Sequence, residues 1–151
     1  MKGEKTYEKH GFTIKYPKKW KIEEGKAGYK TRFCKDRGIL QSTLTINLHD
    51  ISNADGEVTL DRYIEENIDM IKKVEESAGN FSVTEREFLR QPGKQMIYTH
   101  SDFMTDIAAK NLVVLTIIDK NVILLIFSAE TQYFEEDIKI AEEMIESFEL
   151  N

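Results

Sequence analysis

Apolar and polar residues alternate with a period of two in the first third of the chain. The alternation covers residues 12–16, 29–35 and 43–49, where aliphatic and aromatic side chains are interleaved with polar ones. Successive side chains of a β-strand point to opposite faces of a sheet, so each segment is predicted to be a strand with one buried face. Pro17 is expected to end the first strand because it has no N–H to donate, and Trp20 then folds back over the core.

Two longer segments repeat apolar residues at spacings of three and four, which is typical of amphipathic helices. The first helix is predicted over residues 60–78, with Thr59 as its N-cap and Gly79-Asn80 as its left-handed stop. The second helix is predicted over residues 131–149. The apolar stripes are Leu60, Tyr63, Ile64, Ile68, Ile71 and Val74 in the first helix, and Phe134, Ile138, Ala141, Ile145 and Phe148 in the second.

Further strands are predicted between the two helices, at residues 82–89, 94–103, 109–118 and 122–127. The last two carry apolar residues on both faces, so both faces must be covered. The connection between them, at residues 119–121, is too short for the crossover that parallel strands require. These two strands are therefore predicted to form an antiparallel hairpin at the centre of the sheet.

The order of these elements predicts an α+β fold. Its expected architecture is an α/β/α sandwich, in which a central, largely antiparallel sheet carries helices on both faces. Gln91-Pro92-Gly93 is predicted as a turn between two of the strands. The 151 residues fit one domain, predicted to span residues 1–151. No apolar run approaches the roughly 18 residues of a membrane helix, so no membrane span is predicted.

The charge of the chain bears on its partners. A net charge of −6, without an arginine-rich stripe, disfavours nucleic acid. Residues 1–40 hold twelve Lys or Arg and five Asp or Glu, whereas the remainder holds nine and twenty-two. Such an asymmetry can steer a charged protein partner. The alternative is that basic and acidic strands lie side by side and neutralise each other.

Candidate catalytic and metal-binding groups are few. Cys34 is the single cysteine, which excludes an intrachain disulfide and a cysteine zinc cluster, and it is interpreted as a small strand residue. His10, His49 and His100 include no ligand-spaced pair. The sequence contains no nucleophile elbow, glycine-rich phosphate loop or zinc-protease motif. No enzyme activity, cofactor or metal is therefore predicted.

A candidate contact surface lies on the predicted strand at residues 94–103. Tyr98 and His100 share strand parity, and Asp102 follows on the same face by the same rule. Aromatic side chains with a polar group are common at protein interfaces. Tyr98, His100 and Asp102 are therefore predicted as partner-binding residues, and a simple surface hydrogen bond between His100 and Asp102 accounts for their spacing equally well.

Two packing motifs at the ends of the chain point to a known family. They are Tyr7 with residues 11–20, which read GFTIKYPKKW, and the closing residues Tyr133, Phe134 and 145–148. Leu60 and Tyr63 in the central helix add to them. In these residues the chain resembles the PsbP-like superfamily, which includes the extrinsic PsbP subunit of photosystem II and the Mog-type Ran-binding protein. The resemblance implies an α/β/α sandwich that known members use as a docking surface for another protein.

The predicted function is that of a non-catalytic protein-binding or accessory module, with another protein as its partner. The alternative is a small-molecule or metal-ion binding protein with a pocket between sheet and helix. The first residues contain no apolar signal segment, so the expected location is the cytoplasm. A secreted or membrane-anchored protein is the alternative if a signal segment has been removed. The sequence does not indicate an oligomeric state.

Overall fold

A computed structural model describes residues 1–25 and 28–151 of the chain. Within these residues the backbone forms ten strands and two helices. The strands are β1 Glu4–Lys9, β2 Phe12–Pro17, β3 Lys21–Glu24, β4 Thr31–Lys35, β5 Ser42–Asp50, β6 Gly79–Glu85, β7 Gly93–Ser101, β8 Ala108–Ile118, β9 Asn121–Glu130 and β10 Glu149–Leu150. The helices are α1 Leu60–Val74 and α2 Thr131–Ser147.

The strands form two antiparallel sheets. The large sheet has seven strands in the order β3-β4-β5-β9-β8-β7-β6, and the small sheet has three in the order β1-β2-β10. Every neighbouring pair in both sheets is antiparallel. Strands hold 48% of the residues, so the fold is mostly β. The prediction of a largely antiparallel sheet is confirmed.

The β8–β9 hairpin occupies the centre of the large sheet, as predicted. Asp119 and Lys120 form the turn with φ angles of 49° and 62°. Two positive φ angles in a two-residue loop match the right-handed twist of the strands that the loop connects. Ile118 faces Asn121 across the end of the hairpin, and the pairing then runs without interruption to Ala109 and Glu130.

α2 packs on a hydrophobic cluster that we call the α2 cluster. Its main members are Phe134, Ala141, Met144 and Ile145 of α2, Phe33, Leu44, Ile46, Leu112, Val114, Ile123, Leu125 and Phe127 of the large sheet, and Phe12 and Ile14 of β2. Because β2 belongs to the small sheet, this cluster also joins the two sheets. The rings of Tyr16 of β2 and Phe33 of β4 are 5.0 Å apart at that junction.

α1 belongs to a second hydrophobic cluster, called here the α1 cluster. Its buried members are Ile64 of α1 and Met96, Tyr98, Val113, Leu115, Val122 and Leu124 of the large sheet. Leu60, Tyr63, Ile68 and Ile71 of α1 pack against it while remaining partly exposed. Consecutive residues of β8 therefore alternate between the clusters, since Leu112 and Val114 belong to one and Val113 and Leu115 to the other.

Both ends of α1 can be compared with the sequence pattern. The hydroxyl of Thr59 accepts a hydrogen bond from the Arg62 N–H at 3.1 Å, so the predicted N-cap is confirmed. The predicted stop at Gly79-Asn80 is wrong, because α1 ends at Val74 and Glu75 is already extended. Asn80 does have a positive φ of 56°, but it lies inside β6, where the pairing register shifts.

The connection between β6 and β7 also differs from the sequence pattern. Its tip is formed by Leu89 and Arg90, with φ angles of 56° and 60°, rather than by residues 91–93. The backbones of Phe88 and Gln91 exchange two hydrogen bonds of 3.0 Å around this tip. Neither tip residue is one that usually adopts a left-handed conformation, so the local sequence carries no signal for the turn.

Candidate functional site

A cavity of about 470 Å³ lies between α1 and the large sheet. Its floor is apolar and comes from the two central strands, with Val113 of β8 and Leu124 and Ile126 of β9. Its wall is a face of α1, with Tyr63, Asn67, Met70 and Ile71. Asn47 and His49 of β5 and Tyr98 of β7 also line it.

The pairing of the strands explains why the floor changes from apolar to polar towards β5. Leu124 lies beside Leu115 of β8 on one side and beside Asn47 of β5 on the other. Ile126 lies beside Val113 and Thr45 in the same way. Because polar and apolar residues alternate along β5, the polar face of β5 lies next to the apolar residues of β9 that line the cavity. The cavity forms along this boundary.

Tyr98 is the most buried polar residue of the cavity. Its side chain is 9% exposed, and its ring stacks on Phe81 with a centroid distance of 5.1 Å and an interplanar angle of 17°. Burial raises the pKa of Tyr98 to about 12, so the phenol is protonated at neutral pH. Within residues 1–25 and 28–151, no hydrogen bond is made by its hydroxyl, whereas the Tyr63 hydroxyl lies 3.4 Å from His49 Nδ1.

His100, the second predicted partner-binding residue, belongs to a polar row that crosses three strands. Asn111 Nδ2 of β8 donates to His100 Nδ1 at 2.9 Å, and Ser128 Oγ of β9 donates to Asn111 Oδ1 at 2.6 Å. Because Nδ1 accepts this bond, the neutral imidazole carries its proton on Nε2. The row satisfies the buried amide of Asn111, so a structural role accounts for this face of His100.

Asp102, the third predicted residue, lies beyond the end of β7 and not on its face. Its Oδ2 atom accepts hydrogen bonds from the Met104 N–H at 3.2 Å, the Thr105 N–H at 3.0 Å and the Thr105 hydroxyl at 2.9 Å. The bond from the Thr105 hydroxyl is the main reason why the pKa of Asp102 lies below its usual value. Asp102 therefore shapes the β7–β8 turn.

The β7–β8 turn presents two large apolar side chains to solvent. Phe103 is 90% exposed and Met104 is 84% exposed. We call these two residues, together with Asp102, Thr105 and Asp106, the hairpin tip. Phe103 and Met104 are not among the predicted partner-binding residues, although two consecutive apolar residues between Asp102 and Asp106 are a signal that the sequence contains.

A larger groove of about 560 Å³ lies between the β6–β7 connection and the end of α2. Charges of both signs line it, from Arg86, Arg90 and three glutamates, and the Arg86 guanidinium already donates to Glu142 Oε2 at 2.6 Å, Glu142 Oε1 at 3.0 Å and Gln95 Oε1 at 2.8 Å. A side chain satisfied by three internal bonds has little left to offer a ligand. The smaller cavity, with its free phenol, is the better candidate.

The remaining candidate groups of the sequence lie apart from one another. Cys34 is 2% exposed, and burial raises the pKa of its thiol to about 11, so it is a neutral core residue. His10 contacts Glu24, while His49 and His100 contact Tyr63 and Asn111. In the part of the chain that the structure describes, no group of three or more His, Cys, Asp or Glu residues is placed to hold a metal ion.

Comparison with known proteins identifies the fold of this chain but no relative by sequence. No family model and no curated protein sequence matches the chain. Among solved structures, cyanobacterial PsbP from Synechocystis sp. PCC 6803 superposes with a TM-score of 0.70 at 16% identity, over 98% of this chain and 92% of that chain. The chain has the PsbP-like fold. The resemblance inferred from the sequence is therefore confirmed at the level of the fold.

Two other solved structures share the PsbP-like fold. PA94 of Pseudomonas aeruginosa, a protein of unknown function, superposes with a TM-score of 0.58 at 12% identity, over 93% of this chain and 94% of that chain. LpqN of Mycobacterium tuberculosis, which is involved in cell envelope biogenesis, superposes with a TM-score of 0.60 at 10% identity, over 98% of this chain and 90% of that chain.

Neither helix of the described residues has the length and hydrophobicity of a membrane-crossing segment.

Proposed function

We propose that this chain is a non-catalytic accessory module that binds another protein through the hairpin tip. The proposal includes the α/β/α arrangement expected from the sequence, with α1 and α2 as separate layers on opposite faces of the large sheet. The alternation of β8 residues between the α1 cluster and the α2 cluster supports that arrangement. The PsbP-like neighbours, whose roles are unclear or regulatory, are consistent with such a module.

The exposure of Phe103 and Met104 carries this proposal. Phe103 is 90% exposed and Met104 is 84% exposed, so most of the apolar surface of each side chain is in water and is not buried by the fold. Burying one such side chain contributes about 1.5–3 kcal/mol. The three hydrogen bonds to Asp102 fix the turn before any partner arrives. A preorganised apolar tip loses less entropy on binding, which favours affinity.

Charge defines the kind of surface that would receive the tip. Asp102 and Asp106 flank the two apolar residues, and residues 41–151 hold twenty-two Asp or Glu against nine Lys or Arg. We therefore expect an apolar pocket with a basic rim on the partner. Complementary charges of this kind raise the rate of association, and salt screens them with a Debye length of about 8 Å at physiological ionic strength.

Photo-crosslinking in cells of the native organism tests this function. Benzoyl-phenylalanine placed at residue 103 is expected to give one discrete adduct, and the yield should fall as salt is added to a lysate. The matched control is the same group at Ile39, which is 73% exposed in another loop. Equal adducts at both positions, or none at residue 103, would show that the tip is not a docking element.

A variant of Asp102 separates the shape of the tip from its composition. Asp102→Ala removes the three side-chain bonds and leaves Phe103 and Met104 in place. The adduct at residue 103 is expected to weaken severalfold because the turn then has to be ordered on binding. An unchanged yield would mean that preorganisation contributes nothing.

A second candidate function is the binding of a small molecule in the cavity between α1 and the large sheet. Tyr98 lines this cavity, and its hydroxyl makes no hydrogen bond to the described residues, which favours this second function. The proposal keeps the cytoplasmic location expected from the sequence, and immunodetection in fractionated cells of the native organism tests that location.

A further inference from the structure

The described lining of the cavity between α1 and the large sheet contains no Asp, Glu, Lys or Arg. Its polar side chains are those of Asn47, His49, Tyr63, Asn67 and Tyr98. Moving an ion into such a site removes its water and offers it no Asp, Glu, Lys or Arg as a counterion, which is unfavourable. The lining therefore selects against charged ligands.

The same lining offers hydrogen bonds at fixed places. Tyr98 is held by its stacking on Phe81; the residue is 9% exposed, and its hydroxyl has no partner among the described residues. Since no side-chain oxygen or nitrogen of the described residues is both buried and unpaired, this hydroxyl is open to the solvent and can donate a hydrogen bond to a ligand atom. Asn67 of α1 also lines the cavity and carries an amide that can donate or accept.

We propose that this cavity binds a neutral small molecule with an apolar ring system and a carbonyl oxygen that accepts a hydrogen bond from the Tyr98 hydroxyl. The apolar body lies on Val113, Leu124 and Ile126, and the polar end lies towards Tyr98 and Asn67. The proposal rests on the second candidate function above and does not involve the hairpin tip.

The size of the cavity agrees with a ligand of this class. Ligand sites commonly have volumes of about 300–1,000 Å³ and are mostly apolar with a few placed polar groups. At about 470 Å³, this cavity lies in the lower half of that range. From this volume we expect a compound of two fused rings with a short side chain to fit, and a lipid with long acyl chains to be too large.

Fluorescence with the probe prodan, a neutral naphthalene ketone, tests the proposal at pH 8. The full chain is expected to raise and blue-shift the emission of prodan with a one-site saturation curve. A matched pair of competitors then tests the charge rule. Acetylnaphthalene, which is neutral, should displace prodan, and naphthoate, which has nearly the same shape and a negative charge, should not.

Three variants assign the signal to the cavity. Tyr98→Phe removes only the hydroxyl, so the dissociation constant of prodan should rise about five- to tenfold, the usual effect of one hydrogen bond. Met70→Trp fills the cavity from its rim and should abolish binding; Met70 is 56% exposed, so the core is not disturbed. Tyr133→Phe, on α2, is the control and should leave the dissociation constant unchanged.

Several outcomes would overturn the proposal. They are the lack of a saturable signal, equal displacement by acetylnaphthalene and naphthoate, and equal affinities of Tyr98→Phe and Tyr133→Phe for prodan. Thermal unfolding of each variant establishes that it is folded. Crosslinking at residue 103 does not depend on the cavity, so a failure here is distinguishable from a failure of the docking proposal.

Discussion

At the scale of the residue, the carboxylate of Asp137 is the most heavily bonded acidic group of the core. The Asp137 side chain is 1% exposed. Ser42 Oγ donates to it at 2.6 Å, Arg37 Nε and Nη2 at 3.1 Å each, and Lys35 Nζ at 3.3 Å. These contacts join the start of α2 to the β4–β5 region. They also show one place where the basic first part of the chain is neutralised by its acidic remainder.

Asp137→Asn is predicted to destabilise the fold by about 3 kcal/mol, because it leaves Lys35 without its anion and Arg37 with only the exposed carboxylate of Glu136. Urea unfolding at pH 7 measures the change. Glu136→Gln is the matched control, since Glu136 also pairs with Arg37, at 2.6 Å, but its side chain is 70% exposed. An exposed ion pair contributes little, so this variant should stay within about 0.5 kcal/mol of the parent.

The same carboxylate makes stability depend on pH. Burial alone would raise the pKa of Asp137, but the hydrogen bonds from Arg37 and Ser42 and the charge of Lys35 outweigh burial and lower it. Because the pKa of Asp137 is lowered in the folded chain, the ionised carboxylate stabilises the fold at pH values above the ordinary Asp pKa of about 3.9. This stabilisation is lost as the pH falls through the pKa of the folded state.

The stability difference between the parent and Asp137→Asn should therefore shrink as pH falls from 7 to 3, in urea unfolding at each pH. A difference that stays constant over this range would contradict the assignment.

Cys34 is predicted to be chemically inert in the folded chain. A thiol reacts as its thiolate, and burial raises the pKa of this one to about 11. Ellman's reagent at pH 8 should label only a small fraction of the folded protein, and it should label the single thiol fully in urea. Rapid labelling of the folded protein would show that Cys34 is accessible.

At the scale of the element, two turns place residues other than glycine in the left-handed backbone conformation. Asp119 and Lys120 of the β8–β9 turn, and Leu89 and Arg90 of the β6–β7 connection, all have positive φ. For a residue other than glycine, the left-handed region costs about 1–2 kcal/mol. The paired strands impose these turns because long antiparallel ladders gain more than the turns lose.

Lys120→Gly is predicted to stabilise the fold by about 0.5–1 kcal/mol, because Asp-Gly suits a two-residue turn with two positive φ angles. Thermal or urea unfolding measures it. The same substitution at Lys139, on the exposed face of α2, should destabilise by about 1 kcal/mol, the usual penalty of glycine within a helix. If both variants shift in the same direction, the turn carries no strain.

At the scale of the whole molecule, the two helices are held very differently. Five residues of α2 are buried, whereas Ile64 is the single buried residue of α1. Segments with few buried apolar contacts open at lower free energy than the rest of a fold. This difference matters for function because α1 forms the wall of the cavity, so a ligand would bind against the less stable helix.

Hydrogen exchange followed by mass spectrometry is predicted to show α1 exchanging well before α2 and the β8–β9 hairpin. The physical reason is that opening α1 exposes little apolar surface, while opening α2 exposes the core that also joins the two sheets. Prodan at saturation should slow exchange in α1 selectively. Equal protection of both helices would contradict this ranking.

The sequence by itself determined the elements whose signals are local. The spacing of apolar residues located both helices, the continuous apolar runs located β8 and β9, and the short loop between them required an antiparallel hairpin. The packing motifs at residues 11–20 and 145–148 indicated the PsbP-like fold. These features could be predicted because periodicity and turn length act within a few residues of each other.

The tertiary structure alone decided what depends on residues distant in the sequence. β1, β3 and β10 are too polar or too short to be recognised, and they exist because neighbouring strands pair with them. Strand parity placed Asp102 beside His100, but β7 ends at Ser101, and so Asp102 fixes the hairpin tip instead. The cavity depends on residues of α1, β5, β7, β8 and β9 that are brought together by packing. Only packing brings Tyr98 and Asn67 to the same space, and no local pattern encodes that meeting.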